Sequence, residues 1–359
     1  MIHVFTSSAP NYVGKVRTLC SSIREQLGSE VTIHWLVADL LNEELRASFD
    51  DGASIDHLIF VDDFEEFRSR TWLFQHDVVE LSTAIKPAIA AKLLARPDCD
   101  MLLYFDPDMV LFSPHDDLIE ALRGSSLVLT PHLLQPEVEA HAVLDHELST
   151  LRHGIFNLGF FGVRDCPEGH AFLAWWAKRC RDFCWGDWRS GVFTDQKWIN
   201  FAPVFFADTA ILRSPRFNIA PWNINQRTLR GTFDEGFTVD GEPLGFYHFT
   251  GFDSGAHLQV LERYAPSCEA AFALYRWYEQ RTRHLIPQAE IPWRLGCFED
   301  RSAIRKAHRQ IYRDREDLQI AFPNPYRAVA GEMSLQLWME HEGPKEYPEL
   351  LGDGLGAPG

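Results

Sequence analysis

Positive charge is scarce in this chain: 34 lysines and arginines stand against 51 aspartates and glutamates, a formal net charge of −17. That balance argues against a nucleic-acid partner, whose phosphates are held by clustered cations. An acidic chain that handles a phosphorylated substrate needs its cations placed locally, and a metal ion can supply them. Long apolar runs are also missing. No 18 consecutive apolar residues occur, and no cationic segment leads into an apolar run at the start, so neither a membrane span nor a signal peptide is expected. The seven cysteines (Cys20, Cys99, Cys166, Cys180, Cys184, Cys268 and Cys297) form no CxxC pair. Their odd number and irregular spacing read as reduced, mostly buried thiols of a cytoplasmic protein. There is no glycine-rich phosphate loop near the N-terminus, which argues against a nucleotidyltransferase. Internal repeats and low-complexity segments are absent as well.

What is present is an ordinary soluble composition, 46% hydrophobic and 24% charged over 359 residues, enough chain for one large domain or two. The rest is organised around Met101–Phe112. An apolar run, Met101 to Phe105, leads into Asp106-Pro107-Asp108, and a second apolar run leaves it. The first run reads as a strand buried on both faces, ended by Pro107, which cannot donate to a ladder. Two carboxylates therefore stand at the carboxyl end of a central strand, where open α/β sheets place their ligands. They repel unless a cation lies between them, and a hard divalent ion shared with substrate phosphates answers that. The plain alternative is a solvated turn.

Short strands (2–6, 31–38, 55–61, 126–130) alternate with helical patterns (12–27, 42–49, 63–68, 116–122), which predicts a mostly parallel sheet with crossover helices. A helical stretch over 77–96, restarted at Pro87, carries Lys86 among apolar neighbours. A snorkelling lysine is its simplest reading. Residues 131–153 hold four histidines whose spacing fits no zinc pattern, and they read as a substrate-facing loop. The apolar strand 154–163 has one polar side chain, Asn157, which must brace a turn or face a ligand. Asp165-Cys166-Pro167-Glu168 opens a helix. Thr194-Asp195-Gln196 reads either as a helix start capped by Thr194 or as a polar pair delivered to a cleft. The carboxamide-rich stretch 217–227, with Trp222 and Asn223, suits hydroxyl recognition. His248 ends a strand before a glycine turn and could join the two aspartates as a third ligand. From 257 onward, amphipathic helices (270–278, 301–312, 327–339) separated by proline-rich loops (Ile286-Pro287, Ile291-Pro292-Trp293, 322–325) predict a helical appendage, and 343–359 reads as a frayed tail.

Taken together, these stretches resemble the GT-A-fold glycosyltransferases, in particular retaining enzymes of the glycogenin and lipopolysaccharide galactosyltransferase type and their bacterial relatives with a helical C-terminal extension. The resemblance implies an α/β fold: a GT-A, Rossmann-like mixed and mostly parallel sheet flanked by helices. It divides the chain into a catalytic domain over 1–255, a helical extension over 256–345 and a flexible tail over 346–359. Asp106, Asp108 and His248 would then bind Mn²⁺ or Mg²⁺. Asp195 and Gln196 would lie at the anomeric centre. Donor contacts would come from Thr6, Ser7, Tyr12, Lys86, Tyr104, Phe105, Asn157, Gly159, Trp222, Asn223, Arg227 and Gly251. The implied activity is metal-dependent transfer of a sugar, from a UDP-hexose or similar donor, to a saccharide or glycoconjugate hydroxyl with retention. Two departures stand out. Relatives follow the histidine motif with Lys-Pro-Trp, where this chain reads Phe252-Asp253-Ser254, and their Asp-x-x-Tyr start is replaced by residues 7–12. Arg227 is the expected substitute cation, with His257 or an arginine of the helical extension as the alternative. The alternative, given 11 tryptophans and many asparagines, is a non-catalytic carbohydrate or nucleotide-sugar-binding module.

Overall fold

The computed structural model describes residues 1–49, 54–284, 292–329 and 331–351. Its centre is a seven-stranded sheet: β1 (Ile2–Ser8), β2 (Thr32–Val37), β3 (His57–Phe60), β4 (Met101–Phe105), β6 (Leu127–Pro131), β7 (Phe156–Arg164) and β8 (Thr209–Ile211), with β5 (Met109–Leu111) standing apart from it. The order is β3-β2-β1-β4-β7-β6-β8, and only β7 runs antiparallel to its neighbours. The fold is therefore α/β with a mixed, mostly parallel sheet, as expected.

Alternation along β4 explains why its apolar run is continuous. Leu102 and Tyr104 enter the apolar cluster on one face of the sheet, Leu103 and Phe105 the cluster on the other, because successive strand side chains point to opposite faces. Helices cover both faces. Val13–Leu27 packs on one side, while Lys86–Leu94 and Pro167–Phe183 pack against each other on the opposite side. Pro87 sits in the first turn of Lys86–Leu94, after Val78–Ala84 has ended, where its missing N–H does no harm. A small second sheet holds β9 (Leu229–Thr232), β10 (Gly236–Val239) and β11 (Glu242–Pro243). Finally β12 (Phe246–His248) pairs antiparallel with β5, which sets His248 opposite Met109.

Several expected elements differ. The segment expected as a loop over 131–153 contains Ala140–Ala142, a single π turn at Val143–Glu147 and a helix at Leu148–His153. Thr194 caps no helix; it has a positive φ of 43°, and the next helical turn is Lys197–Phe201. The helix expected over 301–312 is Lys306–Asp314, because Arg301 takes φ 72° in a turn closed by its N–H to the Phe298 carbonyl. The one expected over 327–339 is Leu335–His341, delayed until Ser334 can cap it. The tail expected from 343 instead forms Gly343–Glu346 and Pro348–Leu351, with Leu351 buried. The loop residues 286–291 and the tail beyond 351 lie outside the described residues.

The helix Glu269–His284 packs through Ala271, Leu274 and Tyr278 in a cluster with Ile219 and Tyr247, but the segments after residue 292 share the sheet's core: Leu295, Tyr312, Leu335 and Met339 belong to the same cluster as Phe5 and Tyr104. Asp39, fully buried just past β2, fastens them. Its Oδ1 accepts from the N–H groups of Leu40 and Leu295 and its Oδ2 from that of Arg294, while Trp293 Nε1 donates to the Ala38 carbonyl. Burial pushes the Asp39 carboxyl up to about 6 despite those donors. A carboxyl raised in the native state contributes stability that is full below its unfolded value near 4 and lost as pH rises through about 6. That loss is about 3 kcal/mol. Urea unfolding between pH 4 and 7 should therefore show a decline in stability that Asp39→Asn flattens by about that amount. An unchanged pH slope in the variant would remove Asp39 from this role.

Candidate active site

The cavity opens beyond the carboxyl ends of β1 and β4 and measures ≈ 500 Å³. The corner formed by Asp106, Asp108 and His248, a candidate metal site, follows from local chain geometry. Asp106 N–H donates to the Gly159 carbonyl (2.7 Å), Met109 N–H closes a turn onto the Asp106 carbonyl, and Phe249 N–H donates to the Asp108 carbonyl (2.8 Å). The Asp-Pro-Asp turn is thus pinned from β7 and from β12. One ligand atom from each of Asp106, Asp108 and His248 lies within 4.8 Å of the others. His248 Nε2 stands 3.0 Å from Asp108 Oδ1 and 3.8 Å from Asp106 Oδ2. The approach needs a glycine at 159, where a Cβ would meet Met109 Cε at 2.4 Å and His248 Cε1 at 2.7 Å.

Electrostatics within the trio are divided. Burial alone would lower His248, but Asp108 and Asp106 more than offset it, and its pKa is raised. Burial likewise acts to raise Asp108, yet the His248 partner holds its carboxyl low. Asp106 takes the burial penalty and is raised, its Oδ1 accepting from Tyr104 Oη (2.6 Å). The donor set of two carboxylates and an imidazole fits a divalent ion such as Mn²⁺ better than Ca²⁺, which prefers a larger all-oxygen shell. To ligate, His248 Nε2 must release its proton. Asn157 prepares it for that: Asn157 Oδ1 accepts from His248 Nδ1 (3.2 Å), leaving Nε2 aimed at the aspartates, while Asn157 Nδ2 donates to His132 Nε2 (3.3 Å). Such outer hydrogen bonds fix a ligand's tautomer and ring orientation.

Beside this corner is a buried ion pair. Lys86 Nζ lies 2.8 Å from Asp195 Oδ2 and 3.8 Å from Asp106 Oδ1, donates to the Leu158 carbonyl and sits 4.1 Å over the Tyr104 ring. It does not snorkel: its side chain is 2% exposed. Burial pulls the ammonium down, the Asp195 and Asp106 charges raise it, and the carboxylates prevail. Gln196 lines the cavity with both ends of its carboxamide engaged, Nε2 donating to the His153 carbonyl and Oε1 accepting from Leu158 N–H.

Of the donor contacts expected from sequence, Ser7, Tyr12, Lys86, Tyr104, Asn157, Gly159, Trp222 and Gly251 line the cavity. Four do not. Thr6 and Phe105 are buried away from the cavity lining. Asn223 braces its own turn, with Oδ1 accepting from Ala220 N–H and Nδ2 donating to the Asn218 and His132 carbonyls. Arg227 points into the interior, where Nη1 donates to the Phe217 carbonyl and burial pushes the guanidinium down to about 10. It is not the substitute phosphate cation. Lys15 is better placed. Its ammonium pairs with Asp253, Tyr12 Oη donates to the same carboxylate, and the lysine charge helps to hold Asp108 low. Nothing in the sequence pointed to Lys15, which lies in an ordinary helical pattern; Ser149 and His153 reach the cavity from the segment expected to face substrate, though from a short helix and not a loop.

No protein-family model matches the chain. It is 26% identical over 212 residues to YfnF, an uncharacterized protein of Bacillus subtilis (strain 168), which covers 58% of this chain and 69% of YfnF. YfnD, also uncharacterized and from the same organism, is 28% identical over 176 residues, and the match spans about half of it (54%) and 48% of this chain. Among solved structures, the galactosyltransferase LgtC in complex with donor and acceptor sugar analogues is 18% identical, with a TM-score of 0.46 over 80% of this chain and 98% of LgtC. Among the described residues no helix is long and apolar enough to cross a membrane.

Proposed function

We propose that this chain is a metal-dependent glycosyltransferase that moves a hexose from a nucleoside-diphosphate sugar, UDP-hexose by preference, to a hydroxyl of a bacterial glycan or glycoconjugate in the cytoplasm. The observation that carries the reading is the convergence of Asp106, Asp108 and His248 at the floor of a cavity large enough for such a donor. These three would hold Mn²⁺ or Mg²⁺. The ion, when bound, supplies Lewis-acid stabilisation of charge developing on the leaving diphosphate. Asn157 orients the ligating imidazole. Lys86 keeps Asp195 and Asp106 apart as a fixed cation, so that Asp195 can accept a sugar hydroxyl without repelling the aspartate pair. Gln196 holds the strand edge at Leu158 against the His153 turn.

Retention is the stereochemical outcome we infer, because Gln196 cannot accept a proton at neutral pH and Asp195 is tied to Lys86. One residue favours the opposite course. His153 lines the cavity, and burial, with Arg152 and Lys197 nearby, lowers its pKa, so its imidazole is available as a general base. Incubating the protein and Mn²⁺ with a panel of nucleotide sugars should release nucleoside diphosphate from at least one of them, and proton NMR of the fresh product should show the donor's anomeric configuration. Inversion would transfer the chemistry to His153. Metal-independent sugar binding with no nucleotide release would leave the binding-module reading in its place.

A further inference from the structure

A second cavity of ≈ 400 Å³ adjoins the first, and Asp145, His146, Ser149 and Trp222 line both. We propose that this cavity is the acceptor subsite and that it selects a sugar bearing an anionic group; the acceptor role rests on the transfer reading above, whereas the anion selectivity does not. The wall between the cavities is the π turn Val143–Glu147, whose extra residue per turn brings Asp145 and His146 to the rim. That wall is anchored on both sides. Asp145 Oδ2 accepts from Tyr264 Oη (2.6 Å) and forms an ion pair with Arg263 Nη1 (2.9 Å), while Glu137 Oε1 lies 2.7 Å from His146 Nδ1. The rim is therefore a fixed partition, not a loose loop.

The charges there do not cancel. Arg263 is neutralised by Asp145, and His146 Nδ1 is engaged by Glu137 Oε1. Arg152 is exposed, lies over the Trp188 ring at 5.7 Å and has no carboxylate partner among the described residues. In a chain with a net charge of −17, an arginine left unpaired at the mouth of a cavity is the one group there with a strong preference for a ligand charge. Its planar fork matches a carboxylate or a phosphate in two parallel hydrogen bonds. Trp222 supplies an amphipathic ring to the shared wall, apolar on its faces, its Nε1 already donating to the His132 carbonyl. An acceptor sugar seated beside Trp222 with its anion on Arg152 presents its hydroxyls towards the cavity that holds Asp108 and His248.

Ligand-observed NMR titration of the intact chain with methyl glucuronide, glucose 6-phosphate and methyl glucoside tests this without requiring turnover. At least one anionic sugar should bind about 10-fold more tightly than the neutral glucoside, and whichever of the two does so identifies the acceptor's charged group as carboxylate or phosphate. Arg152→Gln should bring the ratio to near one and Arg152→Lys should retain part of it, while Asp108→Asn leaves it intact. Equal binding of all three sugars, or a preference that survives Arg152→Gln, overturns the proposal. A preference that persists in a protein releasing no nucleotide from any donor would strike the transfer reading and spare the anion subsite.

Discussion

Asp108→Asn is expected to lower turnover by about 10²–10³-fold, the scale of losing one preorganised group that stabilises developing charge, and to weaken Mn²⁺ binding in parallel. The fold should be untouched. The bonds that hold the turn use the main chain, Phe249 N–H to the Asp108 carbonyl and Met109 N–H to the Asp106 carbonyl, and neither needs a carboxylate. The amide does remove one partner of the His248 pair, whose attraction holds the Asp108 carboxyl low, so thermal stability should fall modestly without loss of the fold. His248 loses the partner that raises its pKa, and its imidazolium should titrate at lower pH. Turnover measured against Mn²⁺ concentration, beside a circular-dichroism melt, separates the two effects. A variant that works at full rate in the presence of a chelator would refute the metal assignment altogether.

That corner was legible from sequence because each part has a local cause. An apolar run stopped by Pro107 marks a strand end whether or not tertiary structure is known, and the length of the run sets it on a buried strand. His248 was legible for the same reason, a strand end followed by Gly251 at φ 70°. The distance between them was not. It depends on β12 pairing with β5 in one register, and a pairing across more than 130 residues leaves no mark in either segment. Arg227 shows the opposite failure. Its neighbours Trp222 to Gln226 look like a recognition loop, yet they form a 3₁₀ turn that places the carboxamides of Asn223 and Gln226 on backbone groups and that of Asn225 on Glu137, and the guanidinium turns inward. The segment 131–153 was misread because its helices are three to six residues long, too short for apolar periodicity to emerge. In the C-terminal part, helix content was legible, but boundaries depended on Ser334 and Arg301, whose roles are fixed only by the turn each one makes.

Lys86→Met should destabilise the protein by about 3–5 kcal/mol, the range for removing one partner of a buried pair. Periodicity alone presents this lysine as a surface residue whose stem covers apolar neighbours, and on that reading a methionine would be nearly neutral. The structure places the ammonium between two carboxylates, with Asp195 only 3% exposed. Without the cation, Asp195 must be desolvated with only Thr194 Oγ1 donating to it (3.2 Å), and Asp106 loses a charge that holds its carboxyl down. The second substitution decides between causes. Lys86→Met with Asp195→Asn removes both charges of the pair, and should recover most of the stability lost in the single variant, a coupling well above 1 kcal/mol in a double-mutant cycle of urea unfolding. Activity should not return with it, since the rescued protein lacks both the cation beside Asp106 and the carboxylate facing the sugar. If the two changes are additive in stability, Lys86 supports the fold through packing on Tyr104 and not through charge. If activity returns with stability, the pair is scaffolding and the chemistry rests on Asp106, Asp108 and His248 alone.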